Sequence, residues 1–92
     1  MISHIIVRPL TVTDIPMLAL VVERAFQGRD GSVPDHYRAA AVGDRLRRSL
    51  DSDVVTLVAE LSGVPAALGQ YGPARWARST WELMLGATWP VL

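Results

Sequence analysis

Ninety-two residues, half of them hydrophobic, suit one small domain with a packed core or part of a larger one, and they exclude a disordered chain. Nine arginines with no lysine balance nine acidic residues, so the chain has no cationic surplus of the kind nucleic acid or an anionic membrane demands. Cysteine is absent, which removes disulfides, thiolate chemistry and cysteine-ligated zinc, and the opening residues lack a secretory pattern; a soluble cytoplasmic protein is expected.

Residues 5–7, Ile-Ile-Val, read as a short strand that stops at Arg8-Pro9, because Pro9 has no N–H to give to a ladder. A helix follows. It is capped either by Thr11 with Asp14 three residues on, or by Thr13 with Pro16 in the first turn, where a missing N–H costs least. Ile15, Leu18, Val22, Ala25 and Phe26 form its apolar stripe, Asp14, Glu23, Arg24 and Gln27 fall to solvent, and Gly28 ends it. Residues 27–34, QGRDGSVP, form a surface loop of the kind that often lines a binding site. Asp35 then caps a second helix through Leu50, burying Ala39, Val42, Leu46 and Leu50, with Gly43 weakening it by about 1 kcal/mol relative to alanine. Arg45, Arg47 and Arg48 are offset by Asp44, Asp51 and Asp53 and read as a solvated helix face.

Residues 54–71, VVTLVAELSGVPAALGQY, are the clearest signal. They read as a hairpin turning at Ser62-Gly63. Val55, Leu57, Ala59 and Leu61 line one face of its first strand, and Val54, Thr56 and Val58 the other. The second strand sets Val64, Ala66 and Leu68 against Ala67 and Gly69, the small residues suggesting that something packs close. A hairpin apolar on both faces expects cover on both. Gly72-Pro73 turns the chain into a last strand over residues 80–89, with Trp81, Leu83, Leu85, Ala87 and Trp89 on one face and Glu82, Met84, Gly86 and Thr88 on the other. The sum is an α+β domain over residues 1–92: a mostly antiparallel sheet of about four strands, in the order strand-helix-helix-strand-strand-strand, with two helices over one face. No element is left for the second face. About five apolar side chains left in water would forgo on the order of 10 kcal/mol, against a whole-domain stability of about 5 to 15 kcal/mol. The missing cover is therefore expected from a second copy, from another chain, or from the rest of a longer fold.

This order of elements, with IIVRPLTVTDIPMLALVVERAF at its head and VVTLVAELSGVPAALGQY in the middle, resembles the N-terminal half of the GNAT superfamily of acyl-CoA N-acyltransferases over nearly the whole chain. The Arg8-Pro9-x-Thr11-x-x-Asp14 opening and the VAELSGVPAALG hairpin are family habits, not catalytic signatures. The family's Gln/Arg-x-x-Gly-x-Gly/Ala loop is absent from the sequence. In the family that loop opens a helix whose N–H groups and dipole hold the pyrophosphate, so tight acetyl-CoA binding by this chain alone is not expected.

The resemblance implies transfer of an acetyl group from acetyl-CoA to the primary amine of a small molecule or peptide. This chain would be the N-terminal part of the enzyme and inactive alone, so that either a homodimer or a missing C-terminal half completes it. It places Leu85, Gly86 and Ala87 beside the cofactor, the strand's backbone groups meeting the pantetheine arm and polarising the thioester carbonyl. It makes Glu82 the general base, its pKa raised by Trp81, Leu83 and Met84, the alternative being a solvated carboxylate or a partner of Arg75 or Arg78. It puts Phe26, Arg29, Asp30 and Tyr37 in or beside the loop that shapes the acceptor pocket, where each serves equally well as packing or surface. The family's tyrosine general acid would lie beyond Leu92. His4 and His36 stand at no metal-binding spacing, and no metal is expected. A non-enzymatic α+β module that dimerises or pairs with a partner through its open sheet is the second reading.

Overall fold

Arg8 and Asp14 fix how the chain enters its first helix. The computed structural model describes residues 4–73 and 81–88, without the side chains of Trp81 and Glu82. In it β1 (Ile5–Pro9) leads through a 3-10 turn (Val12–Asp14) into α1 (Ile15–Ala25). The Asp14 carboxylate accepts the Thr11 backbone N–H at 2.8 Å, which is the first of the two caps expected, while Pro16 still falls in the first turn. Asp14 does not face solvent as the periodicity predicts: it is 5% exposed. Arg8 grips it with both terminal nitrogens, at 2.7 and 2.8 Å, and the Arg8 Nε donates to Glu60 on the next strand at 2.8 Å. A buried carboxylate is tolerable only because it is paired in this way.

α1 buries Ile15, Leu18, Ala19, Val21 and Val22, a broader stripe than the one expected, and Ala25 lies outside it. The second helix does not start at Asp35. A 3-10 turn (Asp35–Tyr37) and an extended Arg38 precede α2 (Ala39–Ser49), whose first N–H, that of Ala39, is capped by Glu23 Oε2 at 2.6 Å. Glu23, expected in solvent, thus ties the end of α1 to the start of α2. Val42, Gly43, Leu46 and Ser49 are the buried positions of α2, and Leu50 is exposed. At Gly43 a Cβ would meet Ile15 at 3.8 Å, an ordinary contact distance, so the packing of the helices does not require a glycine there.

β2 (Val55–Leu61), β3 (Val64–Pro73) and β4 (Trp81–Thr88) follow, and the four strands form one antiparallel sheet in the order β1-β2-β3-β4. The architecture is the α+β one expected. β1 runs on through Pro9, which as an edge residue needs no N–H for pairing, and β3 runs on through Gly72 and Pro73 where a turn is predicted. Ser62 and Gly63, both at positive φ, close the hairpin in two residues.

Two interruptions reassign the faces. Ala59 pairs with Ala67 and Glu60 with Pro65, so Ala66 is an extra residue in β3; Gln70 pairs with Leu85 and Tyr71 with Leu83, so Met84 is an extra residue in β4. Each bulge slips the alternation by one. Val64 therefore leaves the face of Leu68, and Leu83, 60% exposed, leaves that of Leu85 and Ala87, which are buried. Trp89, expected on the same face, lies outside the described residues. The covered face carries Thr56, Val58, Leu68, Gln70, Leu85 and Ala87 beneath the helices, with α1 over β3 and β4 and α2 reaching β2. The other face presents Ile5, Val7, Val55, Leu61, Val64, Tyr71 and Leu83 bare. The close approach suggested by the small residues of β3 is met from within: the Tyr71 ring lies over Gly69, where a Cβ would stand 3.0 Å from it.

Candidate active site

β4 is an edge of the sheet among the described residues, bonded to β3 on one side. The bulge at Met84 breaks its ladder midway, and such breaks free backbone groups and re-aim side chains. Of the residues expected at the cofactor, Leu85 and Ala87 send their side chains into the core, while Gly86, opposite Gly69, belongs to the bare face. Any ligand lying along the outer edge of β4 would therefore meet main-chain groups, not these side chains. Glu82 pairs by its backbone with Gly72, on the other side of the bulge from Leu85. Its side chain lies outside the described atoms, so the environment predicted for its carboxyl does too.

The four residues expected at the acceptor loop fall into two groups. Phe26 and Tyr37 stack with ring centroids 3.8 Å apart and planes 8° apart, and both pack against the core; His36 leans on the same tyrosine. Asp30 accepts the Ser32 backbone N–H at 3.0 Å and its hydroxyl at 2.6 Å, and these bonds hold its carboxyl below the usual range. With Gly28 and Gly31 bonded across the same turn, the segment is tightly wound. Arg29 projects from it, exposed. No hydrogen bond, ion pair or ring contact among the described residues joins this loop to β4.

A polar seam between α2 and the sheet escapes the sequence reading. Arg45 Nε donates to Gln70 Oε1 at 2.8 Å, Gln70 Nε2 donates to Thr56 Oγ1 at 3.0 Å, and the Ser49 hydroxyl, 3.3 Å from that of Thr56, donates to the Leu46 carbonyl at 2.6 Å. Gln70 is 1% exposed. Its signal was a lone amide in an apolar strand. Arg45, read as solvated, turns toward the sheet; Arg47 keeps to the surface, 3.6 Å from Asp44. A cavity of about 330 Å³ opens beside this seam, walled by Arg45, Arg48, Ser52 and Gln70 and by Met84 of the bulge. Among the described residues no three His, Cys, Asp or Glu side chains group as a metal site, and no helix is long and apolar enough to cross a membrane.

No protein-family model matches the sequence, and no curated protein matches it. Two solved structures share its fold. The PaiA N-acetyltransferase of Thermoplasma acidophilum, in complex with coenzyme A, superposes with a TM-score of 0.69 at 16% identity, over 95% of this chain and 60% of that one. A protein assigned to the GNAT family of acetyltransferases from Desulfovibrio desulfuricans superposes with a TM-score of 0.61 at 20% identity, over 95% of this chain and 54% of that one. The chain spans little more than half the length of the structures it matches, and at these identities the likeness is one of fold: four antiparallel strands and two helices arranged as in part of a GNAT acetyltransferase.

Proposed function

We propose that this chain is the N-terminal part of a cytoplasmic acetyl-CoA-dependent N-acetyltransferase, with its reaction centre along β4. The observation that supports this most is the bulge at Met84 on an edge strand, in a fold shared with a protein crystallised with coenzyme A. The residues fit part of that ligand. The outer N–H and C=O groups of β4 at Leu85, Gly86 and Ala87 suit the amides of the pantetheine arm, but no Gly-rich loop opening a helix is present for the pyrophosphate. When bound, acetyl-CoA supplies an acetyl group activated as a thioester.

The acceptor is the primary amine of a small molecule or peptide. Glu82 would take one proton of its ammonium, leaving the nitrogen lone pair free to attack the acetyl carbon; the N–C bond forms as the C–S bond breaks, and the second proton the nitrogen must lose passes to the departing thiolate. Backbone N–H groups beside the bulge donate to the carbonyl oxygen as charge gathers on it. The Phe26–Tyr37 stack and the turn carrying Arg29 and Asp30 border the acceptor side. The rest of the enzyme covers the bare face of the sheet.

Calorimetric titration of the 92-residue chain with acetyl-CoA is expected to show no micromolar binding, and micromolar binding would contradict the missing anchor. The DNA following the Leu92 codon is expected to encode a Gln/Arg-x-x-Gly-x-Gly/Ala loop in one of its frames; its absence from all of them would remove the reading. The bare apolar face also favours a second reading, a non-enzymatic module in which two copies dock face to face. Sedimentation at low concentration separates them: a defined dimer supports the module, and an aggregating or molten monomer overturns it.

A further inference from the structure

We infer that the arginine-walled cavity beside the β4 bulge binds an oxyanion, a carboxylate or phosphate, carried by the acceptor amine. That the ligand is the acceptor rests on the acetyltransferase reading; the oxyanion site rests on its own geometry. The cavity, about 330 Å³, is at the small end of the range for small-ligand sites and is walled by Arg45, Arg48, Ser49, Ser52, Val54, Gln70 and Met84, with no acidic side chain among the described residues that line it. Asp51 and Asp53 flank Ser52 in sequence, yet neither lines it.

Arg45 is held in place. Its Nε donates to Gln70 Oε1, and because an arginine N–H can only donate, the buried amide keeps its oxygen toward Arg45 and gives its NH2 to Thr56. The guanidinium is thereby anchored by one edge, and its two terminal nitrogens have no protein partner among the described residues. Arg48 has none either, in contrast to Arg8, Arg38 and Arg47, each of which meets a carboxylate. Two cations facing one recess without a counter-charge among the described residues repel each other, and an oxyanion relieves that while matching the planar guanidinium fork with paired hydrogen bonds. The opposite wall is Met84, the extra residue of β4, so a ligand anchored on the arginines has its remainder against the strand on which Glu82 lies two residues away. A small acceptor with its anion on Arg45 and Arg48 thus lies along the strand that carries the proposed base.

The test titrates the 92-residue chain by NMR at low salt with three probes of similar length: 2-aminoethyl phosphate, β-alanine and ethanolamine. The phosphate or the carboxylate, or both, should bind at least tenfold more tightly than ethanolamine, and the stronger of the two identifies the oxyanion. Arg48→Gln, at an exposed position with no structural bond, should weaken that binding about tenfold while leaving the spectrum otherwise folded. Arg45→Lys, which keeps the charge and loses the fork, should weaken it several-fold. Equal binding of the oxyanion-bearing probes and ethanolamine, or an Arg48→Gln variant indistinguishable from the parent, would overturn the site. Because these measurements involve no acetyl-CoA, their outcome is independent of the acetyltransferase reading: oxyanion binding by a chain whose gene encodes no phosphate-binding loop after the Leu92 codon would remove that reading alone, and no preference for the oxyanion probes in a chain whose gene does encode it would remove the site alone.

Discussion

The two faces of the sheet divide polar and apolar residues in the reverse of the usual way. Beneath the helices lie Thr56 and Gln70 alongside Val58, Leu68 and Leu85, with Arg8 at the margin; on the bare side lie Ile5, Val7, Val55, Leu61, Val64 and Leu83. The covered face tolerates its polar groups because the helices bring partners for them: Asp14 to Arg8, and Arg45 and Ser49 to Gln70 and Thr56. No buried side-chain polar atom is left without a partner among the described residues. Among the described residues the bare face carries only the hydroxyls of Tyr71 and Thr88, both on exposed residues, and the rest of it is apolar. Cover on one side is thus specific and hydrogen-bonded, and on the other side would be a matter of shape and apolar area.

The sharpest way to break this contrast is to injure each face equally. Leu18→Ala, at a position with no exposed surface, should destabilise the chain by about 3 to 4 kcal/mol, because it leaves a cavity beneath the helices. Val7→Ser, on a side chain 63% exposed, should change stability by less than about 1 kcal/mol in the monomer. Urea denaturation of both variants at low protein concentration measures the difference. If Val7→Ser proved as costly as Leu18→Ala, the bare face would be buried in solution, and sedimentation would have to show the second copy that buries it.

Next in size is the ion-paired hinge between β1 and α1. The Arg8 guanidinium, and to a lesser degree the Thr11 N–H and hydroxyl, hold the Asp14 carboxyl well below the usual carboxylate range, against the opposing effect of burial. A depressed folded pKa means that the stabilisation is complete above the unfolded value, about 4, and is lost as pH falls through the folded one. Asp14→Asn should therefore cost about 2 to 3 kcal/mol at pH 7 and flatten the decline in stability below pH 4. Denaturation at pH 7 and pH 3 tests both parts, and an undiminished acid slope in the variant would show that other carboxylates carry it.

What could be read from the sequence, and what could not, follows the same physics. The order of elements was legible because the punctuation is local: Thr11 with Asp14 marks the entry to the first helix and Ser62-Gly63 turns the hairpin, although α1 ends at Ala25, ahead of the stop expected at Gly28. The faces of β3 and β4 were not, because alternation propagates any slip, and nothing in Val-Pro-Ala-Ala or Leu-Met-Leu marks Ala66 and Met84 as the residues squeezed out of the ladder. Asp14 and Glu23 were assigned to solvent because a charge on a helix reads as exposed until its partner is known, and both partners, Arg8 and the Ala39 N–H, come from other elements. Glu82 and the acceptor loop rest on a resemblance, whereas the Arg45–Gln70–Thr56 seam depends on contacts between residues far apart in sequence, which no spacing rule could reveal.

The smallest expected effect is at the hairpin that joins β2 to β3. Ser62 has φ +50° and Gly63 φ +84°, so both central residues of this two-residue loop occupy the left-handed region, the geometry of a type I′ turn. Gly63 bears this without strain and has nothing within 4 Å of where a Cβ would stand, but Ser62 has a Cβ that the conformation disfavours. Asparagine is the residue whose short polar side chain best tolerates that region, and Asn-Gly is the preferred pair for this turn. The Ser62 N–H, bonded to the His4 carbonyl at 2.9 Å, is a backbone group and would survive the change. Ser62→Asn should therefore stabilise the chain by up to about 1 kcal/mol, seen as a rise in the urea midpoint with no change of slope. A loss of stability instead would mean that the Ser62 hydroxyl or the exact turn geometry contributes something the backbone alone does not, and that the corner where β1 meets the hairpin is under stricter control than its exposure suggests.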